Sequence, residues 1–195
     1  MTGPLKPISL TALSIALFAI GYIACNKDNS ITSKTIVKCV TCLNGGACIR
    51  DTCRCPAAYE GISCQTESIL KFTQNFAWTV SESGSVIGPK SPYNISIEPR
   101  PSSLTTLLIY NLYGPYYSSF YSSVPLNSNI NGDSIFIPTQ VLDSGYITGK
   151  GYYVSNSPGR GTITFRYQVT NTITGVTNDF GYANPANNPS IWTQD

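Results

Sequence analysis

Seven cysteines are the residues of this chain whose types and spacing are best suited to chemistry. Six of them lie within 26 residues, Cys39 to Cys64, and the seventh is Cys25. The C-x-x-C that begins at Cys39 and the C-x-C that begins at Cys53 could hold zinc, the first could be a redox pair, and all six could form disulfides. So short a segment buries too little surface to fold alone, so covalent or metal cross-links must stabilise it.

Catalytic groups are much harder to find. Histidine is absent, which removes the commonest general base and the commonest transition-metal ligand. No G-x-S-x-G is present, and Gly149-Lys150-Gly151 and Gly159-Arg160-Gly161 lie in strand-patterned segments rather than in phosphate-binding loops. A glycosidase would need two carboxylates, and such a pair could be drawn from Glu82, Glu98, Asp133, Asp143 and Asp179. Because nothing singles out a pair, we predict no enzyme activity and no cofactor.

Charge and composition exclude two further classes. The formal net charge is +2 and charged residues make up 11% of the chain, so a basic nucleic-acid surface is not predicted. Hydrophobic residues make up 42% and there are 13 tyrosines, which excludes disorder over the whole length.

An apolar run precedes the first cysteine. Ile8 to Ala24 is 17 residues without a charge, at the lower limit for a membrane-spanning helix, and an anchor helix is one interpretation. The sequence Tyr22-Ile23-Ala24-Cys25 resembles the lipobox of bacterial lipoproteins. This resemblance implies a signal peptide over residues 1–24 and a membrane anchor through lipid on Cys25. Residues 25–38 are then the lipidated cysteine and a polar, flexible tether.

The cysteine-rich segment resembles an epidermal-growth-factor-like (EGF-like) module over residues 39–64. The resemblance is carried by Leu43-Asn44-Gly45-Gly46-Ala47-Cys48, Cys53-Arg54-Cys55-Pro56 and Tyr59-Glu60-Gly61-Ile62-Ser63-Cys64. Spacing alone leaves 15 connectivities open, whereas the resemblance implies the pairs Cys39–Cys48, Cys42–Cys53 and Cys55–Cys64. An extracytoplasmic, oxidising compartment also favours disulfides over zinc. Calcium-binding members of that family carry acidic residues just before the first cysteine, and residues 35–38 carry none, so no calcium site is predicted. No other metal site is predicted either.

From Ser68 onward the hydrophobic period becomes two, as in half-buried antiparallel strands. Tyr93, Ile95 and Ile97 alternate with polar residues, and so do the apolar residues between Ile163 and Val169. We predict a mainly β fold, with an antiparallel β-domain over residues 68–195 that has about seven strands. It is either a sandwich or a small lipocalin-like barrel, with the tail around Trp192 as a closing segment.

Three segments of this half resemble a small β-domain of short Bacteroidetes-like lipoproteins, where it often follows a growth-factor-like module. They are Tyr93 to Ile97, Ile109 to Gly114 and Ile135 to Gln140. The resemblance implies a surface lipoprotein of the bacterial outer membrane and brings no established activity.

A cluster of aromatic rings, all but one of them tyrosines with a polar hydroxyl, supplies a candidate contact surface for a protein or glycan partner. Its members are Tyr110, Tyr113, Tyr116, Tyr117, Phe120 and Tyr121. The alternative is that many of these rings fill the core. The sequence thus predicts a membrane-anchored, non-catalytic binding, adhesion or structural module at the cell surface. The alternative function is an envelope carrier whose barrel holds a small apolar ligand.

Overall fold

A computed structural model of the chain describes residues 41–74, 77–89, 91–113 and 125–194. The cysteine-rich segment and the β-domain belong to one compact unit. Among the described residues, no helix has the length and the hydropathy that crossing a membrane requires. Residues 1–40, including Cys25 and Cys39, lie outside the described part.

Residues 41–67 form a small disulfide module of two antiparallel hairpins. The first pairs β1 (Ala47–Ile49) with β2 (Thr52–Arg54), and the second pairs β3 (Tyr59–Glu60) with β4 (Thr66–Glu67). With so few paired residues, the hairpins depend on cross-links for stability.

Two disulfides cross-link this module, Cys42–Cys53 and Cys55–Cys64, which are two of the three predicted pairs. Cys48 is also disulfide-bonded; Cys39, its predicted partner, lies outside the described residues. Each bond stabilises the fold by about 2–4 kcal/mol, mainly by restricting the unfolded chain.

A one-turn helix and eleven strands follow the module. In chain order they are α1 (Leu70–Thr73), β5 (Trp78–Ser81), β6 (Ser83–Gly84), β7 (Gly88–Pro89), β8 (Tyr93–Pro99), β9 (Thr106–Tyr110), β10 (Leu126–Asn131), β11 (Ser134–Leu142), β12 (Gly145–Ser157), β13 (Arg160–Asn171), β14 (Thr177–Phe180) and β15 (Ser190–Gln194).

Eight of these strands form a closed antiparallel barrel. Strand β5 pairs with β8, the strands from β8 to β13 pair in sequence order, and β15 lies between β13 and β5 and closes the ring. One edge of β13 is shared, because β15 pairs with Thr162–Phe165 and β14 pairs with Gln168–Thr170. Strands β6 and β7 pair with each other as a separate hairpin.

Inward-facing side chains fill the barrel at the described positions. On β13 the alternate residues Ile163, Phe165, Tyr167 and Val169 are all buried. The ring of Phe165 stacks on Trp192 at a centroid distance of 4.4 Å, and the ring of Tyr167 stacks on Phe180 at 4.2 Å. The centre of the barrel is therefore a core of packed aromatic and aliphatic groups, as in other small barrels.

Glycines on β12 make room for these rings. A Cβ atom on Gly149 would lie 2.5 Å from Cβ of Tyr167, and one on Gly151 would lie 2.5 Å from Cδ2 of Phe165. The Gly149-Lys150-Gly151 sequence thus belongs to a strand in which small residues pair with large ones of the neighbouring strand β13.

Helix α1 covers the end of the barrel at which β5 begins, which we call the α1 end. Phe72 is fully buried, and its carbonyl oxygen accepts a hydrogen bond of 3.0 Å from Nε1 of Trp78. The ring of Phe72 also meets Tyr153 of β12 edge-on, at a centroid distance of 5.7 Å. These contacts fix α1, and with it Lys71, on the barrel.

The mainly β prediction is confirmed, and the choice between sandwich and barrel is resolved in favour of a barrel. The barrel has eight strands where about seven strands were predicted. The tail is β15, a full member of the barrel, and its Trp192 is buried among the interior rings.

Asp179 shapes the segment between β14 and β15. Its carboxylate accepts hydrogen bonds from the backbone N–H groups of Tyr182, Ala183 and Asn184, at 2.8, 3.1 and 2.8 Å, and from Nδ2 of Asn187 at 3.0 Å. Burial raises the pKa of Asp179, but these donors lower it by more, so the pKa lies below its ordinary value. The turn directs the chain back to the edge of β13, where β15 pairs.

We expect Asp179→Asn to lower the free energy of unfolding at pH 7 by about 1–2 kcal/mol, since a neutral amide accepts these bonds less strongly. Because the wild-type pKa is lowered, the stabilisation is complete above the ordinary carboxyl pKa and is lost as the pH falls below about 4. Urea unfolding at pH 7 and at pH 3 should therefore show a smaller difference between variant and wild type in acid. Asp143→Asn, at an exposed site in the β11–β12 turn, is the control. An equal loss at both pH values would contradict the role given to the Asp179 charge.

Candidate functional site

A cleft of about 390 Å3 lies at the α1 end, between the disulfide module and the barrel. Three elements supply its charged residues: β3 ends at Glu60, α1 carries Lys71, and the β10–β11 turn carries Asp133. Gly132 allows this two-residue turn because it adopts a φ of +57°. Tyr152, Tyr153, Val154 and Ser155 of β12 complete the lining.

Lys71 is the central charge of the cleft. Its side chain is 9% exposed, and its Nζ atom donates hydrogen bonds to Glu60 and, at 2.6 Å, to Asp133. Burial lowers the pKa of Lys71, but the bonds to Asp133 and Glu60 and their negative charges raise it by more, so the pKa lies above its ordinary value. The amine therefore stays protonated at neutral pH and is unsuited to act as a nucleophile or general base.

The carboxylates of the cleft are more accessible than the amine, since the side chains of Glu60 and Asp133 are 39% and 43% exposed. The hydroxyl group of Tyr152 donates to Oδ2 of Asp133 at 3.4 Å. The cleft thus presents hydrogen-bond acceptors next to a ring on a rigid strand, which suits ligand binding.

A second polar site lies at the opposite end of the barrel, around Glu82, which follows β5. Tyr93 donates its hydroxyl to Oε1 of Glu82 at 2.9 Å, and Tyr167 and Ser190 donate theirs to Oε2 at 2.8 and 2.9 Å. Trp192 in turn donates Nε1–H to the hydroxyl of Ser190 at 2.8 Å. The buried carboxylate therefore links β5, β8, β13 and β15 through hydroxyl groups.

No cation pairs with Glu82 among the described residues. Burial raises its pKa, and the bonds from Tyr167, Ser190 and Tyr93 offset only part of that effect, so the pKa of Glu82 lies above its ordinary value. The carboxyl group of Glu82 is buried against the aromatic core, so we interpret it as a group that stabilises the fold and not as one that contacts a ligand.

The predicted ring surface needs one correction. Tyr113 is 5% exposed and packs against Tyr167 and Phe180 at centroid distances of 6.4 and 5.9 Å, so it belongs to the core and does not form a contact surface. Its backbone N–H donates to the hydroxyl of Tyr93 at 2.9 Å. Tyr110 is half-buried on the outer side of β9. The other predicted rings, Tyr116, Tyr117, Phe120 and Tyr121, lie outside the described residues, as does Cys25, the predicted lipidation site.

Sequence reasoning missed the cleft because its charges are far apart in the chain. Glu60 is 11 positions from Lys71, and Asp133 is 62 positions from it. No local sequence pattern links these three residues. Among the carboxylates considered for catalysis, Asp133 and Glu82 lie at opposite ends of the barrel. Within the described ranges, no three potential metal ligands come together.

Comparisons of the chain with protein-family models, with curated proteins and with solved structures found no match.

Proposed function

We propose that this chain is a lipoprotein of the bacterial outer membrane, anchored through Cys25 and exposed at the cell surface, where it acts as a non-catalytic binding module. The sequence Tyr22 to Cys25 supports the anchor, and the cross-linked module supports an oxidising compartment. In this proposal residues 39–64 are an EGF-like spacer that carries the β-domain.

The observation that carries the binding role is the filled barrel. Trp78, Phe165 and Trp192 are fully buried in its interior, so a ligand would be bound on the outside. Lys71 joins Glu60 of the disulfide module to Asp133 of the barrel, so the cleft between them is a rigid, composite surface. Ligand binding to such a preformed cleft does not require mobile side chains to become ordered, which lowers its entropic cost.

A non-catalytic role is supported by the state of the charged groups. The Lys71 amine is protonated and held by two carboxylates, and Glu82 is enclosed by hydroxyl donors in the core. Neither group is poised to exchange protons with a bound substrate.

The anchor is tested with Cys25→Ser. In a Gram-negative host that lipidates exported proteins, the wild type should fractionate with membranes, and the variant should be released or remain unprocessed, because only the cysteine sulphur accepts the diacylglyceryl group. Ser33→Ala in the tether is the control and should behave as the wild type. If Cys25→Ser stayed in the membrane fraction at the same full-length mass as the wild type, an uncleaved helix would be the anchor. Protease treatment of intact cells then tests exposure, since a surface protein is digested before lysis.

The carrier function is the alternative, and the closed eight-stranded barrel is the observation that favours it, because barrels of this size can hold one small ligand. Native mass spectrometry of the freshly purified protein distinguishes the carrier function from the function as a binding module. A copurifying apolar molecule would favour the carrier, whereas the bare mass is expected for a module with a filled interior.

A further inference from the structure

The outer wall of the barrel beside the cleft carries an exposed apolar stripe. Phe136, Tyr152 and Val154 are 42%, 53% and 52% exposed, respectively. In the β11–β12 register Ser134 lies opposite Tyr152 and Phe136 lies opposite Lys150. Phe136 and Tyr152 are therefore diagonal neighbours on one face, with Val154 two residues further along the same strand. Contiguous exposed apolar groups of this kind mark interaction sites more often than isolated ones do.

Charged groups of both signs border this stripe. Glu60 and Asp133 of the cleft lie at the end near Tyr152, and the exposed Lys150 lies opposite Phe136. Oε1 of Glu60 has no hydrogen-bond partner among the described residues. With Lys71 included, two carboxylates and two ammonium groups balance, so these four groups carry no net charge. Arg166 lies opposite Lys150 on β13, but its guanidinium donates to the carbonyl oxygens of Gly181 and Pro185, on the side of β13 that faces away from β12.

We infer that this wall and the adjoining cleft bind an uncharged oligosaccharide, an inference that rests on the proposed function as a binding module. A sugar ring has an apolar C–H face that packs on Tyr152 or Phe136, and hydroxyl groups that donate to carboxylates and accept from ammonium groups. Neighbouring strands lie about 4.8 Å apart, so the two rings can contact successive parts of one sugar chain. The balance of the four charged groups matches a neutral ligand better than a charged one.

Fixed geometry adds to this fit. The hydroxyl of Tyr152 is bonded to Asp133, and Asp133 is bonded to Lys71, so ring and carboxylate are positioned by the same network. A ligand that stacks on this ring finds its hydrogen-bond partners already oriented, which lowers the entropic cost of binding.

The test is titration calorimetry of the full chain in detergent with uncharged hexasaccharides of glucose, mannose, xylose and N-acetylglucosamine, and with hexagalacturonate as a charged comparison. We expect at least one neutral hexasaccharide to bind and hexagalacturonate to bind more weakly. Tyr152→Ala should weaken binding roughly tenfold by removing the stacking ring, and Tyr152→Phe, which keeps the ring, should restore most of the affinity. Phe136→Ala is a second, independent variant with the same expected direction. Val141→Ala, at a site 88% exposed beside the β11–β12 turn at the Glu82 end, is the control and should not alter binding.

Two results would overturn the inference. One is the absence of binding to every neutral hexasaccharide at millimolar concentration, and the other is unchanged affinity in Tyr152→Ala and Phe136→Ala with unchanged melting temperatures. Either result leaves the membrane-anchor test with Cys25→Ser standing. Conversely, a failure of that test would remove the proposed location and leave the measured sugar binding intact.

Discussion

Glu82→Ala is expected to lower the free energy of unfolding by about 3–5 kcal/mol. The hydroxyl groups of Tyr93, Tyr167 and Ser190 would lose the carboxylate to which they donate, and the truncation would leave a cavity under the aromatic core. Urea unfolding followed by tryptophan fluorescence measures the loss. The control is Glu98→Ala, at an exposed position of β8, which should change stability by less than about 0.5 kcal/mol. A Glu82→Ala loss as small as that of the control would show that the hydroxyl network contributes little.

Glu82→Gln separates the charge from the hydrogen bonds. Because the pKa of Glu82 is raised in the folded state, the folded wild type binds a proton more tightly than the unfolded chain does. The contribution of the Glu82 carboxyl group to the free energy of unfolding is therefore largest at low pH. It falls as the pH rises from about 4.3 to the raised pKa and is constant above that. This part of the pH dependence should be absent in Glu82→Gln. This pH dependence of the free energy of unfolding has the opposite sign to that expected for Asp179, whose stabilising effect is lost in acid.

Gly149→Ala is expected to destabilise the barrel by about 3 kcal/mol, near the upper end of overpacking effects. The added methyl group would lie 2.5 Å from Cβ of Tyr167 and 2.7 Å from Cε1 of Phe165. The Cβ atom of Tyr167 is attached to the backbone, so it can move only if β13 moves away from β12. These two strands pair along nearly their whole length, so moving them apart to remove the clash would disrupt many backbone hydrogen bonds. Thermal unfolding by circular dichroism should show a melting temperature many degrees lower.

A second glycine provides the matched control for this effect. Gly175 lies in the turn between β13 and β14 with a φ of +71°, and a Cβ atom there would have nothing within 4 Å. Gly175→Ala should cost only about 1 kcal/mol, from backbone strain in a left-handed conformation. If Gly149→Ala cost no more than Gly175→Ala, the barrel interior would be less tightly packed than the contacts of Phe165 indicate.

Local alternation was sufficient to predict individual strands. Tyr93, Ile95 and Ile97 face the core on β8, and Trp78 and Val80 do so on β5. Alternation cannot distinguish a barrel from a sandwich, because both fold classes present one face of each strand to the core. Closure of the barrel depends on the pairing of β15 with both β13 and β5. Local sequence patterns do not predict such long-range pairing.

The ring-rich segment shows a second limit of sequence reasoning. Tyr113 sits among Gly, Pro and Ser residues that suggest an exposed loop. The backbone instead turns sharply after β9, with φ values of +64° at Asn111 and +66° at Tyr113, and this turn places the ring of Tyr113 against Phe180. Positive φ at a tyrosine is uncommon, so residue types alone give little warning of it. The Lys71 cluster was equally inaccessible, since its members meet only after the barrel has formed.

The position of β15 also sets the order in which the molecule can be assembled. The earliest and the latest of the barrel strands along the chain, β5 and β15, are neighbours in space. While the polypeptide is being synthesised, the edges of β5 and β13 that pair with β15 therefore have no partner strand. A sheet of such high contact order matures slowly, and its unpaired flanks would invite association with other chains. We expect the pairing of this five-residue strand with both edges to be a late step of folding that ends their exposure.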